Sequence, residues 1–344
     1  MTLEMSKEAP APRTSRATLA RVAAEASVSM STVSKVLNGR TGVSEATRSR
    51  VEDLLHSHGY NRRGIAQTAP LIELVFSELD TAWAIEIITG VERVARENGM
   101  SVVLTESGDR HSPGPEWIDG VLQRRPSGVI LVFSDLSPDH KRQLRTRNIP
   151  FVVVDPAGDP APDVASIGSA NWSGGVLATR HLIDMGHREI AMITGPDDMM
   201  CSRARLSGYR SALEGAGIPI REELIVTGQF HREDGVVRGD ELLSLANPPT
   251  AIFAGSDLQA LGVYEAARAR GLTIPGDLSV VGYDDLQMAE WLGPPLTTVR
   301  QPLTEMAEQA TRLVLRMSDA DPDERLRIDL ATSLVVRSST RRIS

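Results

Sequence analysis

Residues 18–38 read TLARVAAEASVSMSTVSKVLN, two short helical patterns joined by a tight corner. In the first, Leu19, Val22, Ala23 and Ala26 recur at helical spacing, and Thr18 stands where an N-cap accepts backbone N–H bonds. The second restarts after Ser29, another N-cap candidate, and turns Val33, Val36 and Leu37 inward. That leaves Met30, Ser31, Thr32, Ser34 and Lys35 facing out. Two helices with a short corner, the second carrying small polar and cationic side chains near its start, have the geometry that fits a DNA major groove. A third helix is predicted from Ser44 onward, with Val51, Leu54 and Leu55 closing a three-helix core and Gly59 as its stop. Such a core is small, so the head is expected to lean on a partner for stability.

At 344 residues the chain is too long for one core and suggests two or three domains. Its 41% hydrophobic and 24% charged residues are ordinary for a globular protein. The single cysteine, Cys201, allows no intrachain disulfide and points to a reducing compartment. No apolar run approaches the ~20 residues that span a bilayer, and the first residues lack the apolar core of a signal peptide. A cytoplasmic location with no membrane partner is the expectation. Net charge is −8, which argues against nucleic acid until its distribution is considered. Arg13 to Arg63 carries nine Lys or Arg against four acids, whereas residues 64–344 hold a net −12. A basic head on an acidic body confines phosphate binding to one end.

Residues 1–15 read as a disordered arm, 16–61 as the helix-turn-helix domain and 62–70 as a hinge linker. From Leu71 the pattern changes. The runs LIELVF, MSVVLT, GVILVF and FVVVD, then EIAMITG, LIVTG, AIFAGSD and LSVVGYDD, alternate with amphipathic helical stretches. Runs apolar on both faces are what buried parallel strands require. Two such sets predict an α/β body, residues 71–344, of two lobes with doubly wound parallel sheets facing across a cleft. Lobe 1 is expected at about 71–165 and 300–325, lobe 2 at about 166–296 and 326–344, with RIDLATSLVVR as a terminal strand.

TVSKVLN and VSEATRSRV in the head, then HLIDMGHREIAMITGP, SRARLSGYRSAL, FAGSDLQALGVYEAARARGLTIPGDLSVVGYDD, PPLTTVRQP and LVVRSST, run in family order over residues 16–340. This series resembles the lactose-repressor (LacI) family of bacterial transcription regulators. The resemblance implies a periplasmic-binding-protein-like sensor body that binds a small molecule and alters the affinity of paired heads for operator DNA. On that reading Met30 and Ser31 face base edges, Met30 through apolar contact with a thymine methyl. Thr32, Ser34 and Asn38 hold phosphates. The remaining DNA-contact candidates are Thr18, Ser29, Lys35, Thr47, Arg48, Tyr60, Arg62 and Arg63. Two departures stand out. Ser27 replaces the usual turn glycine, and the leucine that wedges into the minor groove falls on Ala69. Leu71 as a substitute wedge, or Arg62 and Arg63 as minor-groove cations, are alternatives left open.

The effector candidates are Asp155, Arg205, Ser256, Asp257 and Asp284, with the aromatics Trp83, Trp172, Phe230 and Trp291. Asp257 and Asp284 follow strands whose carboxyl ends face the crevice where open α/β folds bind ligands. Asp257 is also a candidate N-cap. An Arg with carboxylates offers donors and acceptors together, which suits vicinal hydroxyls, and flat rings stack on a pyranose face. His181 and His187 read as structural. Neither GxGxxG nor GxxxxGK[ST] is present and no metal-ligand spacing occurs, so no cofactor or metal is expected. No nucleophile, base and orienting partner stand together, which argues against an enzyme. The resemblance implies a ligand-controlled repressor, and a sugar is the expected effector. RSSTRRIS closes the chain without an apolar heptad, so a homodimer is expected.

Overall fold

The computed structural model describes residues 19–37, 42–57, 69–79, 82–108, 113–133, 136–159, 161–319 and 326–343. The chain divides into two compact units, residues 1–67 and 68–344. In the first, α1 (Leu19–Glu25), α2 (Met30–Leu37) and α3 (Glu45–Ser57) surround Val22, Ala23, Ala26, Val33, Val36, Val51 and Leu55. Ser29 caps α2 by accepting the Thr32 N–H at 3.1 Å, and Ser44 accepts the Thr47 N–H at 3.3 Å at the start of α3. The corner places Ser27 at φ 54°, a left-handed conformation that costs a side-chain-bearing residue about 1 kcal/mol. Thr18, Asn38, Gly59, Tyr60, Arg62 and Arg63 lie outside the described residues.

The second unit begins with β1 (Ala69–Phe76). Leu71 pairs with Ser101 inside that strand, which also takes in residues 69 and 70 at the end of the expected linker. There follow α4 (Ala82–Glu97), β2 (Ser101–Glu106), α5 (Pro115–Arg124), β3 (Pro126–Val132), α6 (Pro138–Thr146), β4 (Phe151–Val154) and β5 (Ala165–Ser169). Then come α7 (Asn171–Asp184), β6 (Ile190–Thr194), α8 (Met200–Gly215), β7 (Ile225–Thr227), α9 (Arg232–Leu243), β8 (Ala251–Ala254), α10 (Asp257–Ala269) and β9 (Ser279–Asp284). The chain finishes with α11 (Met288–Trp291), β10 (Thr297–Arg300), α12 (Leu303–Asp319), β11 (Arg327–Leu330) and β12 (Ser333–Val335).

These strands form two six-stranded sheets, ordered β11-β5-β4-β3-β1-β2 and β12-β10-β9-β8-β6-β7. All pairings are parallel except β10 with β12. Each sheet is apolar on both faces. In the first, Ile72, Leu74, Ile130 and Val152 pack under α4 and α12, while Val129, Leu131 and Val153 pack under α5 and α6. The second sheet is sandwiched between α9 with α10 and α7 with α8. The lobes exchange chain after Ser169, between Arg300 and Leu303, and between Leu330 and Ser333. Three expectations are corrected here. β5 and β11 belong to the first sheet, β10 belongs to the second, and RIDLATSLVVR is two strands, one in each lobe.

The first sheet holds a buried ion pair. Glu73, fully buried in β1, accepts from Arg124 Nε at 2.9 Å, from Arg124 Nη2 at 2.5 Å and from the Thr105 hydroxyl at 2.6 Å. Its charge is compensated in place.

Candidate functional site

On the head, Met30 is 49% exposed at the start of α2, and Ser31, Ser34 and Lys35 are exposed beside it. The Ser29 hydroxyl lies 2.7 Å from that of Ser31 and 2.9 Å from that of Thr32. The N-terminal turn of α2 thus presents a linked row of hydroxyls, an apolar Met tip and a Lys. Thr47 is half-buried, its hydroxyl 2.8 Å from that of Ser44. Arg48 differs from expectation: at 6% exposure it is part of the packed head and not a surface cation like Lys35.

In the body, a cavity opens where the carboxyl ends of both sheets meet. Lobe 1 supplies Phe76, Ser77 and Glu78 after β1, Val132 and Phe133 at the end of β3, and Trp83 from α4. Lobe 2 supplies Pro196 and Met199 after β6, Gln229, Phe230 and His231 after β7, Ser256 after β8, Asp284 from β9, and Arg205 from α8. Parallel strands direct their C-terminal loops to one crevice, and so residues more than 200 positions apart converge.

Arg205 is 3% exposed and held on several sides. Its Nε donates to Asn171 Oδ1 at 2.8 Å and its Nη1 to the Gly255 carbonyl at 2.6 Å. The guanidinium lies 3.7 Å from the Tyr283 ring centroid and 5.4 Å from that of Phe230, within cation–π range. α8 approaches α7 closely enough to place it there because Gly175 and Gly208 face backbone. A Cβ on either would stand 2.3 Å from the Arg205 carbonyl or 2.2 Å from that of Trp172.

Phe230 adopts φ 68°, unusual for a bulky residue, and its carbonyl is held by the Ser256 hydroxyl at 2.9 Å. Its ring lies over Gly195, where a Cβ would be 1.9 Å from Cζ. Opposite, Trp83 stacks on Phe133 with centroids 4.4 Å apart. At the mouth, His231 Nε2 and Glu78 Oε2 face each other across the lobes at 3.6 Å.

The carboxylates divide into different roles. Asp284 lines the cavity, and burial pushes its pKa well above the ordinary carboxylate range against the pull of Arg205. Asp155, at the end of β4, is 2% exposed behind the cavity wall; burial lifts its pKa to about 6, opposed by Arg205 and by the Asn171 amide. Asp257 does not face the cavity. It is fully buried, accepting the Leu286 N–H at 2.8 Å and the Thr298 hydroxyl at 2.6 Å, and burial pushes its pKa up to about 7. Nor is it the N-cap of α10: Ser256 accepts the Gln259 N–H at 3.1 Å in that role. Trp172, 48% exposed, and Trp291, 72% exposed, are outside the cavity lining, so neither supplies a stacking face within it.

The cavity thus unites Trp83, Arg205, Phe230, Ser256 and Asp284, and adds Glu78, Phe133, Gln229 and His231, which the motifs had not singled out. The last four carry a weak signal that was there to use, since all stand at or just beyond the carboxyl end of an apolar run. His181 and His187 bind the C-terminal segment, His181 Nε2 lying 2.9 Å from the Thr340 hydroxyl and His187 Nε2 3.2 Å from the Arg341 carbonyl. Among the described residues no group of three or more His, Cys, Asp or Glu could hold a metal, and no helix is long and apolar enough to cross a membrane.

Residues 18–63 match the family model of bacterial regulatory proteins, lacI family, and residues 179–340 match a periplasmic binding protein-like domain. The HTH-type transcriptional repressor PurR of Vibrio atlanticus is 32% identical over 335 residues, covering 95% of this chain and all of that protein. A solved complex of the transcriptional regulator CelR with cellobiose shares 35% identity and a TM-score of 0.72, covering 94% of this chain and 100% of the other. The lac repressor dimer bound to operator and the anti-inducer ONPF shares 29% identity and a TM-score of 0.70, covering 95% and 100%.

Proposed function

Because this chain belongs to the lacI family of bacterial regulatory proteins, we propose that it binds operator DNA as a homodimer and that a sugar in the cleft sets its operator affinity. The observation that carries the sugar reading is the composition of the cavity. The aromatic rings of Trp83 and Phe230 line it together with a fixed guanidinium and the Asp284 carboxyl. Apolar ring faces alternating with paired donors and acceptors match a pyranose, whose C–H face is apolar and whose rim is hydroxylic. The CelR–cellobiose complex and the operator-bound lac repressor dimer support the same reading.

On the head, Met30 and Ser31 are assigned to base edges, and Ser29, Thr32, Ser34, Lys35 and Thr47 to the phosphate backbone. A thermal-shift screen over monosaccharides, disaccharides and purine bases, followed by operator binding with each hit, tests the assignment. A sugar at a hundredfold excess over its Kd stabilises by about 2.7 kcal/mol. Stabilisation by a purine base and by no sugar would replace the sugar with that class.

A further inference from the structure

Asn171 lines no part of the cavity, yet every hydrogen-bonding position of its amide is engaged. Its Oδ1 accepts from Arg205 Nε at 2.8 Å and from the Tyr283 hydroxyl at 3.3 Å. Its Nδ2 donates to the Ser169 carbonyl at 3.2 Å and to Asp155 Oδ1 at 3.5 Å. Arg205 and Tyr283 belong to lobe 2, Asp155 and Ser169 to lobe 1, and Asn171 sits two residues beyond the first crossing. From the second crossing, Gln301 Nε2 donates to the Ser169 hydroxyl at 3.1 Å. A continuous chain of bonds therefore runs from the cavity through Arg205 and Asn171 to two of the three crossings.

The guanidinium needs such an anchor. With Nε given to Asn171 and Nη1 to Gly255, Nη2 donates to no acceptor among the described residues and is the group left for a bound molecule. Its direction is set by those two bonds, because the guanidinium is planar and its donors are fixed relative to one another.

We propose that Asn171 is a positioning residue that aims Arg205 at the effector and ties that guanidinium to the lobe crossings, so that occupancy of the cleft is felt there. The proposal rests on reading the cleft as the effector site, but its first test needs no effector. In the full-length protein labelled with ¹⁵N-arginine, the Arg205 Nε–H is assigned by its loss in Arg205→Lys, and its hydrogen exchange is compared across variants. Asn171→Leu, which strands Nε–H and the Tyr283 hydroxyl, is expected to speed exchange at least tenfold. Asn171→Asp keeps the acceptor and should keep exchange near wild type. The same Asn171→Asp removes the donor to Asp155 and sets a like charge beside it, so the Asp155 titration, read by ¹³C-carboxyl resonance, moves upward.

Exchange in Asn171→Leu within twofold of wild type overturns the proposal. If that variant does not fold, an unchanged Asp155 titration in Asn171→Asp does the same. Cellobiose and D-glucose serve as probes in a second arm, with affinity of whichever binds expected to fall at least tenfold in Asn171→Leu and less than threefold in Asn171→Asp. Equal affinity in wild type and Asn171→Leu would also overturn it. Failure of both sugars to bind wild type counts against the sugar reading alone, since the exchange and titration results still decide the role of Asn171.

Discussion

Asp257→Ala separates a framework role from a ligand contact. In the folded chain the Asp257 carboxyl receives the Leu286 N–H and the Thr298 hydroxyl, and all three residues lie in lobe 2. Removing the carboxyl leaves two buried donors unsatisfied at about 1–3 kcal/mol each, a loss of about 2–6 kcal/mol. For a unit of this size the smaller figure lowers Tm by roughly 5 °C. Asp257→Asn is the informative partner. Its Oδ1 accepts the Leu286 N–H, its Nδ2 donates to a rotated Thr298 hydroxyl, and below about pH 4, where the carboxyl is neutral in both states, the variant lies within about 1 kcal/mol of wild type. The sign of the pH dependence follows from burial. The folded carboxyl titrates near 7 against an ordinary 3.8, so its full contribution is present below about 4 and is lost as pH rises through about 7. Asn at this position does not titrate. Its stability relative to wild type should rise between pH 4 and 7 and then level off. Urea and thermal unfolding of the full chain at several pH values, with and without sugar, measure all of this. Should Asp257→Ala unfold like wild type yet lose its sugar-induced shift, the framework assignment is wrong and the side chain reaches the ligand.

Four further outcomes are expected. Asp155→Asn should gain stability relative to wild type as pH rises from about 4 to about 6, the folded carboxyl titrating near 6, and a flat difference in paired melting curves would contradict its burial. Arg124→Met strips the buried Glu73 of its main partner and should cost about 3–5 kcal/mol in urea unfolding, while adding Glu73→Leu recovers most of it. Gly208→Ala forces α7 and α8 apart beneath Arg205 and should weaken both Tm and the sugar response, since its Cβ meets the Trp172 carbonyl at 2.2 Å. Lys35→Ala should reduce the slope of log K against log salt for operator binding by about 0.9, as expected for one lost phosphate contact.

What could be read from the chain, and what could not, follows from the range of the forces involved. β1, β3, β4, β6, β8 and β9 announce themselves because a strand buried on both faces must be apolar throughout. β5, ASIGS, does not. Gly168 is small because β11 passes beside it, where a Cβ would lie 2.7 Å from Asp329 Oδ1, and that neighbour arrives from 161 residues away. Trp83, Phe230, Ser256 and Asp284 stand at or near strand and helix ends and line the cavity, whereas Arg205, inside α8, was singled out only by the family resemblance. Asp257 was misplaced for a related reason: a polar residue after a strand reads alike whether it faces the crevice or turns behind it. Which way it turns is decided by Leu286 and Thr298, its non-local partners. Trp172 and Trp291 show the same limit, since loop position does not set side-chain direction. Arg48, a DNA-contact candidate under the family resemblance, is buried by its place on α3, which only packing decides.

The proposed function requires one coupling, between a sugar in the cleft and operator DNA on the head. The direct measurement selects the preferred duplex from a random pool, then determines operator Kd with and without saturating sugar and sugar Kd with and without operator. A coupling of about 1–3 kcal/mol, a 5- to 150-fold change equal in both directions, is predicted. Enrichment of no duplex over bulk DNA, or an operator Kd unmoved by a sugar that demonstrably binds, would contradict it.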